Sequence, residues 1–175
     1  MSNISKKGKS DIDLSIIIPI YNERESIGKL YDNLNGALSG MNLKYEVLLI
    51  DDGSIDGTFD ELLKLHRKNK LFKIIRFRKN FGQTSAISAG FSYAEGEVVV
   101  TLDADLQNDP RDIPVLLEKL NEGYDIVSGW RKNRKDKAVT RRFPSIVANK
   151  IISKLTRVNL HDYGCTLKAY RKEVV

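Results

Sequence analysis

Two kinds of hydrophobic pattern alternate along the chain. Five short runs are almost wholly apolar and rich in β-branched residues, which is typical of strands covered on both faces. Between these runs, apolar side chains recur at every third or fourth position, which predicts amphipathic helices. The predicted strands are residues 14–20, 45–50, 72–77, 97–102 and 124–130, and the predicted helices are residues 27–38, 59–66, 86–94, 113–120 and 144–155.

The order of these elements predicts the fold class. Strands that alternate with helices build sheets whose strands run mainly parallel and are joined by right-handed crossovers. We therefore expect a three-layer α/β sandwich with a mainly parallel sheet. A chain of 175 residues suits one such domain. We expect a flexible basic tail over residues 1–13 and one domain over residues 14–175, truncated at its C-terminus because the pattern stops without a closing signal.

The composition narrows the class of protein. A hydrophobic content of 41% and a charged content of 30% are typical of a soluble globular domain. No apolar run approaches the roughly 18 residues that cross a bilayer, and the polar start lacks the core of a signal peptide, so we expect a cytosolic chain. The single cysteine, Cys165, has no disulfide partner and the two histidines form no zinc cluster. Cys165 is therefore expected to be a small packed residue.

The net charge of +6 is concentrated in one segment. Residues 131–142, RKNRKDKAVTRR, hold seven basic residues and one acidic residue, which equals the excess of the whole chain. Such a basic patch suits a solvated loop, a nucleic-acid footprint, a contact with anionic lipid headgroups, or a clamp for phosphate. Composition alone does not choose among these four interpretations.

Polar clusters follow three of the predicted strands. They are PIYNE at residues 19–23, DDGSIDGT at residues 51–58 and DADLQ at residues 103–107. Because the carboxyl ends of parallel strands lie at one edge of a sheet, we expect the clusters to converge on one crevice. Turns and helix caps also use such residues, and Asp56 before Gly57 suits a cap.

Asp103, Asp105 and Gln107 have the chemistry of a metal site. Carboxylates at the end of a buried strand are unfavourable unless a cation, a basic partner or water accompanies them. Oxygen ligands of this kind match Mg²⁺ or Mn²⁺, with coordination positions left for water and a diphosphate. The chain has neither a G-x-x-x-x-G-K-[ST] loop nor a G-x-G-x-x-G turn after a strand, so neither an NTPase nor a dinucleotide dehydrogenase is indicated.

The ordered set of motifs resembles a known enzyme family. PIYNE, DDGSIDGT, RKNFGQTSAISAGFSYAEGE and LDADLQNDP are similar to the inverting glycosyltransferases of family two, which have the nucleotide-sugar-binding glycosyltransferase A fold. NFGQ, SGWRKNR and HDYGCTLKAYR further resemble the polyprenyl-phosphate sugar transferases, such as dolichyl-phosphate mannose synthase, bactoprenol glucosyltransferases and undecaprenyl-phosphate aminoarabinose-type transferases. The resemblance extends over residues 14–175 and implies that this domain is catalytic.

The resemblance places a nucleotide sugar in the crevice. It implies that Asp103, Asp105 and Gln107 hold a Mg²⁺ or Mn²⁺ ion at the diphosphate. It also implies that Asp51 and Asp52 hydrogen-bond the base or the ribose. The residues that it assigns to nucleotide-sugar binding are Pro19, Tyr21, Glu23, Asp51, Asp52, Asn80, Gly82, Gln83, Asp103, Ala104 and Asp105.

The basic patch gains a role if the acceptor is a lipid phosphate. Such an acceptor is already an anion, so it requires desolvation and orientation more than deprotonation. Arginine grips phosphate through charge-assisted bonds, and Arg131 next to the fifth strand is the first candidate, also for catalysis. Other members of the patch either join it or face anionic headgroups. The predicted acceptor-phosphate residues are Arg131, Lys132, Arg134, Arg141 and Arg142.

Four further residues have two interpretations each. Asp162 is the candidate for the remaining catalytic role, although a turn residue before Gly164 explains it nearly as well. Trp130 is interpreted as a core residue rather than a sugar-stacking platform. Lys168 and Arg171 either bind phosphate or are charges on the surface of a strand.

The leading hypothesis is metal-dependent, inverting transfer of a sugar from a UDP- or GDP-type donor to polyprenyl phosphate. We expect the reaction at the cytosolic face of an anionic membrane, with the chain either peripheral or anchored by a missing segment. The candidate protein partners are a membrane protein and further copies of this chain in a homo-oligomer. One alternative is a family two enzyme acting on a saccharide hydroxyl, which predicts a carboxylate base. A remote alternative is a nucleic-acid-binding module, which leaves DADLQ unexplained.

Overall fold

The computed structural model describes residues 11–130 and 164–175. Its centre is a six-stranded sheet whose neighbours follow the order β3-β2-β1-β4-β6-β5. The strands of this sheet are β1 (Leu14–Ile20), β2 (Tyr45–Asp51), β3 (Phe72–Arg76), β4 (Val98–Thr101), β5 (Ile126–Ser128) and β6 (Lys168–Arg171).

The first four strands form the parallel part of the sheet. β1 pairs in parallel with β2 on one side and with β4 on the other, and β2 pairs in parallel with β3. β6 runs antiparallel to both of its neighbours, β4 and β5. The prediction of a mainly parallel sheet is therefore confirmed, and β6 adds an antiparallel strand that the hydrophobic pattern did not indicate.

Four α-helices lie within the described residues, each connecting two strands of the parallel part or leading to β5. A 3-10 turn over Pro110–Asp112 precedes the fourth helix, and the Asp109 carboxylate accepts a hydrogen bond from the backbone N–H of Arg111 at 3.0 Å. Asp109 and Pro110 therefore start this helical segment, as an Asp-Pro pair commonly does. The helices are α1 (Ile27–Leu38), α2 (Thr58–Lys68), α3 (Gln83–Tyr93) and α4 (Ile113–Asn121).

The helices cover both faces of the sheet. Ile16 and Ile18 of β1 face a core that includes buried residues of α1, α2 and α4. Ile17, between them, faces a second core that contains Ala86 of α3. Because both faces of the central strands β1, β2 and β4 are buried, these strands show no polar alternation, and the predicted three-layer sandwich is confirmed.

Several element boundaries differ from the predictions. α3 begins three residues earlier than the apolar pattern suggested, because its first turn is polar. The loop before it ends at Gly82, which has a φ of 92°. The fifth strand is shorter than predicted and stops at Ser128. Trp130 is 55% exposed, so its assignment to the core was wrong. The predicted helix over 144–155 lies outside the described residues.

The domain boundaries remain a prediction. The backbone N–H of Asp13 donates to the carbonyl of Lys44 at 2.8 Å, and the N–H of Val98 donates to the carbonyl of Asp13 at 3.0 Å. Regular pairing with the sheet therefore already includes residue 13. Residues 1–10 lie outside the described part of the chain.

Candidate functional site

The loops after β1 and β2 are hydrogen-bonded to each other. The backbone N–H of Asn22 donates to Ser54 Oγ at 3.0 Å, and Asn22 Oδ1 accepts from the N–H of Ile55 at 3.0 Å. The N–H of Glu23 donates to Thr58 Oγ1 at 2.9 Å. Asn22 has a φ of 54°, a left-handed conformation that asparagine tolerates better than most residues. The two loops therefore form one unit at the carboxyl edge of the sheet.

Asp51 is fully buried at the end of β2. One carboxylate oxygen accepts from the N–H of Ser54 at 3.0 Å, and the other lies 3.4 Å from Arg76 Nε. The guanidinium of Arg76 also lies 4.0 Å from the ring centroid of Phe59. Asp51 is thus held between a turn and a cation that is itself stacked on an aromatic ring.

Asp52 binds the loop that leads into α3. Its two carboxylate oxygens accept from the backbone N–H groups of Phe81 at 2.7 Å and Gly82 at 2.8 Å. Bonds from N–H groups to a carboxylate are charge-assisted and stronger than neutral ones. Asp52 is 3% exposed, so water competes little for these bonds. The position of the NFGQ loop therefore depends on this one carboxylate.

Gly53 lets the same loop approach closely. A Cβ at this position would lie 2.4 Å from the carbonyl carbon of Lys79 and 2.7 Å from the nitrogen of Asn80. The φ of Gly53 is 73°, which an L side chain rarely adopts. The DDGS turn and the NFGQ loop are therefore packed backbone against backbone.

Asp103 receives hydrogen bonds from two directions. Gln83 Nε2, at the start of α3, donates to Asp103 Oδ1 at 2.8 Å. The hydroxyl of Thr166, two residues before β6, donates to Asp103 Oδ2. The sequence indicated that an unpaired carboxylate at this strand end would be unfavourable. The hydrogen bonds from Gln83 and Thr166 stabilise it. The carboxylate is consequently held in one orientation.

Asp105 and Gln107 lie on an exposed turn after β4. The backbone N–H of Gln107 donates to Asp105 Oδ1 at 3.0 Å, and Leu106 between them has a φ of 62°. Ala104 is buried and anchors the turn to the core. Both polar side chains are exposed and accessible from solvent.

The oxygens of this turn have the chemistry of ligands to a divalent cation. Two carboxylates and one amide oxygen are hard donors, and they are too few to fill an octahedral shell. Within residues 11–130 and 164–175 no group of three or more His, Cys, Asp and Glu side chains is placed to hold a metal. The oxygens of this turn would therefore leave coordination positions open to water or to a ligand.

The remaining predicted donor-site residues lie at the carboxyl edge of the sheet and differ in exposure. Tyr21 is 44% exposed, and Asn80 is exposed on the loop held by Asp52. Pro19 is partly covered within β1. Glu23 accepts from the hydroxyl of Ser26 at 2.8 Å, which fixes it at the start of α1.

Phe81 is a residue of this edge that sequence reasoning missed. Phe81 is 49% exposed, and its ring packs edge-on against Phe77 at a centroid distance of 5.7 Å. Lys79 Nζ lies 5.2 Å from the centroid of the Phe81 ring. An exposed aromatic ring at this edge is able to stack on a planar ligand group. The signal was present in the NFGQ motif, of which only the other three residues drew attention.

A cleft of about 1390 Å³ opens between α1 and α4 on the side of the DADLQ turn. Its walls include Leu106 and Gln107 of that turn and the exposed Trp130. The turn is thus bordered by a space larger than most small-molecule pockets.

Several predicted residues have a definite outcome or lie outside the described chain. Asp56 accepts from both the N–H and the hydroxyl of Thr58, at 2.9 Å and 2.5 Å, which confirms a turn residue, whereas the N-cap of α2 is Gly57. Cys165 is 1% exposed, which confirms a packed residue. Arg171 donates to the carbonyls of Tyr124 and Leu120, as a structural strand residue does. Outside the described residues lie Arg131, Lys132, Arg134, Arg141, Arg142 and Asp162.

Residues 15–175 match the sequence model of the family described as Glycosyl transferase family 2. The chain belongs to this family. A curated dodecaprenyl-phosphate galacturonate synthase from Rhizobium johnstonii is 42% identical to this family 2 chain, over 94% of the chain and 49% of the relative. An undecaprenyl-phosphate 4-deoxy-4-formamido-L-arabinose transferase from Shewanella sediminis is 44% identical, over 97% of the chain and 51% of the relative. The chain spans about half the length of the curated relatives it matches.

Solved structures share the fold of this family 2 chain. A glucosyl-3-phosphoglycerate synthase from Mycobacterium tuberculosis, crystallised with Mn²⁺, UDP and phosphoglyceric acid, matches with a TM-score of 0.72 and 20% identity, over 94% of the chain and 57% of that structure. Together with the family match, this likeness confirms the predicted glycosyltransferase A fold. Within residues 11–130 and 164–175 no helix is both long and apolar enough to span a bilayer.

Proposed function

We propose that the chain is the catalytic domain of a transferase that moves a sugar, with inversion, from a UDP- or GDP-type nucleotide sugar to a polyprenyl phosphate. The observation that carries the proposal is the joining of three strand-end loops around Asp103, through Asp52 and Gln83. Family membership supports sugar transfer as the reaction. The names of the two curated relatives support a polyprenyl phosphate acceptor.

The nucleotide is proposed to lie along the edge formed by the loops after β1, β2 and β3. Asp51 and Asp52 shape this edge, with their carboxylates bound to backbone groups and to Arg76. Tyr21, Asn80 and Phe81 supply exposed groups there. A base held against Phe81 gains stacking energy, while backbone atoms near Gly82 are free to approach it closely.

The sugar diphosphate is proposed to lie over the DADLQ turn. Asp103, Asp105 and Gln107 would hold a Mg²⁺ or Mn²⁺ ion there, since their oxygens suit both. When bound, such an ion offsets the charge that develops on the departing diphosphate. The chain itself contributes the fixed orientation of Asp103, and Gln83 and Thr166 provide it.

The acceptor phosphate is proposed to be bound by the basic patch of residues 131–142. Arg131 follows the short β5 segment in sequence and is the first candidate for contact with that phosphate. Lys132, Arg134, Arg141 and Arg142 would add to the local positive potential, which favours an anionic membrane surface. Asp162 is proposed to orient the acceptor or one of these arginines.

Calorimetric titration with UDP and GDP tests the donor site. The wild-type chain is titrated with each nucleotide in the presence of Mn²⁺ and in EDTA, alongside Asp105→Ala and the control Glu118→Ala, which removes an exposed carboxylate of α4. We expect one nucleotide to bind in a metal-dependent manner, and Asp105→Ala to abolish that binding while Glu118→Ala preserves it. Equal binding with and without metal, or no binding to the folded wild type, would contradict the proposal.

The acceptor is tested by transfer assays. The sugar nucleotides of the base that binds are offered with a polyprenyl phosphate, with the dephosphorylated polyprenol and with an oligosaccharide. Product formed with the phosphate alone supports the proposal. Product formed with the oligosaccharide instead would assign the chain to polysaccharide synthesis.

A further inference from the structure

Thr166 brings β6 into contact with the carboxylate of Asp103. Its hydroxyl reaches Asp103 Oδ2, and its own carbonyl accepts from Thr101 Oγ1 at 2.6 Å. Thr101 ends β4, so the peptide of Thr166 is fastened to the strand that leads into the DADLQ turn. The hydroxyl is thus fixed relative to the turn it contacts.

A buried amide sets the direction of this hydrogen bond. Asn108 Nδ2 donates to Thr166 Oγ1 at 3.1 Å, and Asn108 Oδ1 lies 3.6 Å from the thiol of Cys165. A hydroxyl has one proton to donate. Because Asn108 already donates to the hydroxyl, the proton of Thr166 is directed at Asp103. Asn108 is 7% exposed and Cys165 is 1% exposed, so water does not compete for these positions.

Within the described part of the chain, the donors to Asp103 come from different elements. Gln83 belongs to α3 and contacts one oxygen, while Thr166 precedes β6 and contacts the other. A carboxylate held at both oxygens loses little rotational freedom when it binds a cation. Partners that orient a metal ligand in this way typically change metal affinity by about 10- to 100-fold.

We propose that Thr166 and Asn108 are positioning residues that orient Asp103 for a divalent cation. The inference rests on the proposed function, since it concerns the same cation site. Thr166 acts directly on Asp103, and Asn108 acts through Thr166. Neither residue touches the sugar or the acceptor in this scheme. The chain Cys165, Asn108, Thr166 and Asp103 therefore forms one relay of hydrogen bonds from the core to the site.

Binding of Mn²⁺ in the presence of the nucleotide that binds the wild type tests the relay, with electron paramagnetic resonance reporting the free ion. Thr166→Val keeps the shape of the side chain and removes the hydroxyl. We expect it to weaken Mn²⁺ binding by about 10- to 100-fold, and Thr166→Ser to restore affinity to within about threefold of the wild type. Asn108→Ala is expected to weaken binding by about 10-fold, because it frees the hydroxyl to rotate.

The controls separate this inference from the proposed function. Ser92→Ala removes an exposed hydroxyl of α3 and should leave Mn²⁺ affinity unchanged, and thermal unfolding verifies that each variant is folded. Wild-type affinity in Thr166→Val would overturn the inference while Asp105→Ala still tests the site. If the wild type binds no Mn²⁺ with nucleotide, the proposed function and this inference both fail. If Thr166→Val does not fold, Asn108→Ala decides by the same criterion.

Discussion

Glu46 is a buried carboxylate at the end of the sheet opposite the site. It is 1% exposed and accepts from Ser15 Oγ at 2.6 Å and from the N–H of Glu95 at 2.8 Å, and its other oxygen pairs with Lys73 Nζ at 2.7 Å. Burial alone would raise the pKa of Glu46, but the bonds from Lys73, Ser15 and Glu95 outweigh it and hold that pKa below its usual value. Glu46 is therefore charged in the folded protein.

Glu46→Gln is expected to destabilise the fold by about 1–3 kcal/mol at neutral pH, because it removes the charge while Lys73 and two other donors remain. Since the folded-state pKa of Glu46 is depressed, its contribution is present above the ordinary value of 4.5 and is lost as the pH falls through the folded value. Urea unfolding near pH 7 and near pH 4 measures both effects, with Glu118→Gln as an exposed control. A wild type and variant that differ equally at both pH values would argue against this account.

Asp52 allows a second prediction at the residue scale. Asp52→Asn replaces one acceptor oxygen by an amide that faces the backbone N–H of Phe81 or Gly82. We expect hydrogen exchange at these two N–H groups to accelerate in the nucleotide-free protein. We also expect nucleotide affinity to fall by at least about 10-fold, the loss of about one charged hydrogen bond. Unchanged exchange together with lost affinity would show instead that Asp52 contacts the nucleotide directly.

At the scale of whole elements, α3 packs against β1 more closely than an ordinary helix does. A Cβ on Gly90 would lie 2.3 Å from Cγ2 of Ile17, which is fully buried. The close approach brings the N-terminus of α3, and with it Gln83, to the edge of the sheet where Asp103 lies. Glycine at position 90 lowers the helical propensity of α3, but it allows the helix to lie closer to the sheet.

Gly90→Ala tests this packing. Alanine favours helix over glycine, yet we expect the variant to be destabilised by about 1–3 kcal/mol because the methyl group overpacks the core. Gly36→Ala is the matched control in α1, where a Cβ meets nothing within 4 Å, and it should stabilise by about 0.5–1 kcal/mol. Chemical denaturation of both variants gives the comparison. A stabilised Gly90→Ala would mean that α3 moves away from β1 at little cost.

At the scale of the whole molecule, the charge distribution predicts that the protein binds to anionic membranes. The excess of +6 resides in residues 131–142, and each basic residue near an anionic membrane contributes about 1 kcal/mol. We expect binding to vesicles that contain phosphatidylglycerol, weakening as salt rises, and little binding to neutral vesicles. Sedimentation with the vesicles measures it.

Two sets of five substitutions to glutamine locate the effect. The first set, Arg131, Lys132, Arg134, Arg141 and Arg142, should remove most of the vesicle binding. The second set is a control of five exposed basic residues outside the patch. It should leave most of the vesicle binding intact, although it lowers the net charge by the same amount. If both sets weaken binding to the same degree, net charge rather than the patch is responsible. The control set consists of the exposed residues Lys29, Lys64, Arg67, Lys68 and Lys70.

The parallel half of the fold was predictable because its signals are local. The apolar run of β1 is buried on both faces, and its predicted bounds agree with the structure at Leu14 and Ile20. The polar clusters were likewise predictable, since they follow their strands directly. Their meeting at one edge needed only the rule for parallel sheets.

The contacts that fix the site were not predictable in the same way. β6 is short, and its sequence KAYR alternates charged and apolar residues without a β-branched run. Its place between β4 and β5 follows from pairing with distant segments, which no local pattern encodes. Thr166 meets Asp103 through that pairing, and Asn108 in turn meets Thr166, so neither residue stood out in the sequence. Asp52 stood out, but its backbone partners depend on how the NFGQ loop folds back.

The insertion of β6 has a consequence for the order of events during synthesis. β6 lies between β4 and β5 in the sheet, yet it follows both in the chain. Because a ribosome adds about 5–20 residues per second, the flank of β4 and the whole of β5 wait for seconds before their neighbour emerges. An unpaired strand edge recruits other chains during such a wait. Thr166 is synthesised with the same segment. A nascent chain that stalls before Thr166 is therefore prone to aggregation and also lacks the hydrogen-bond relay to Asp103.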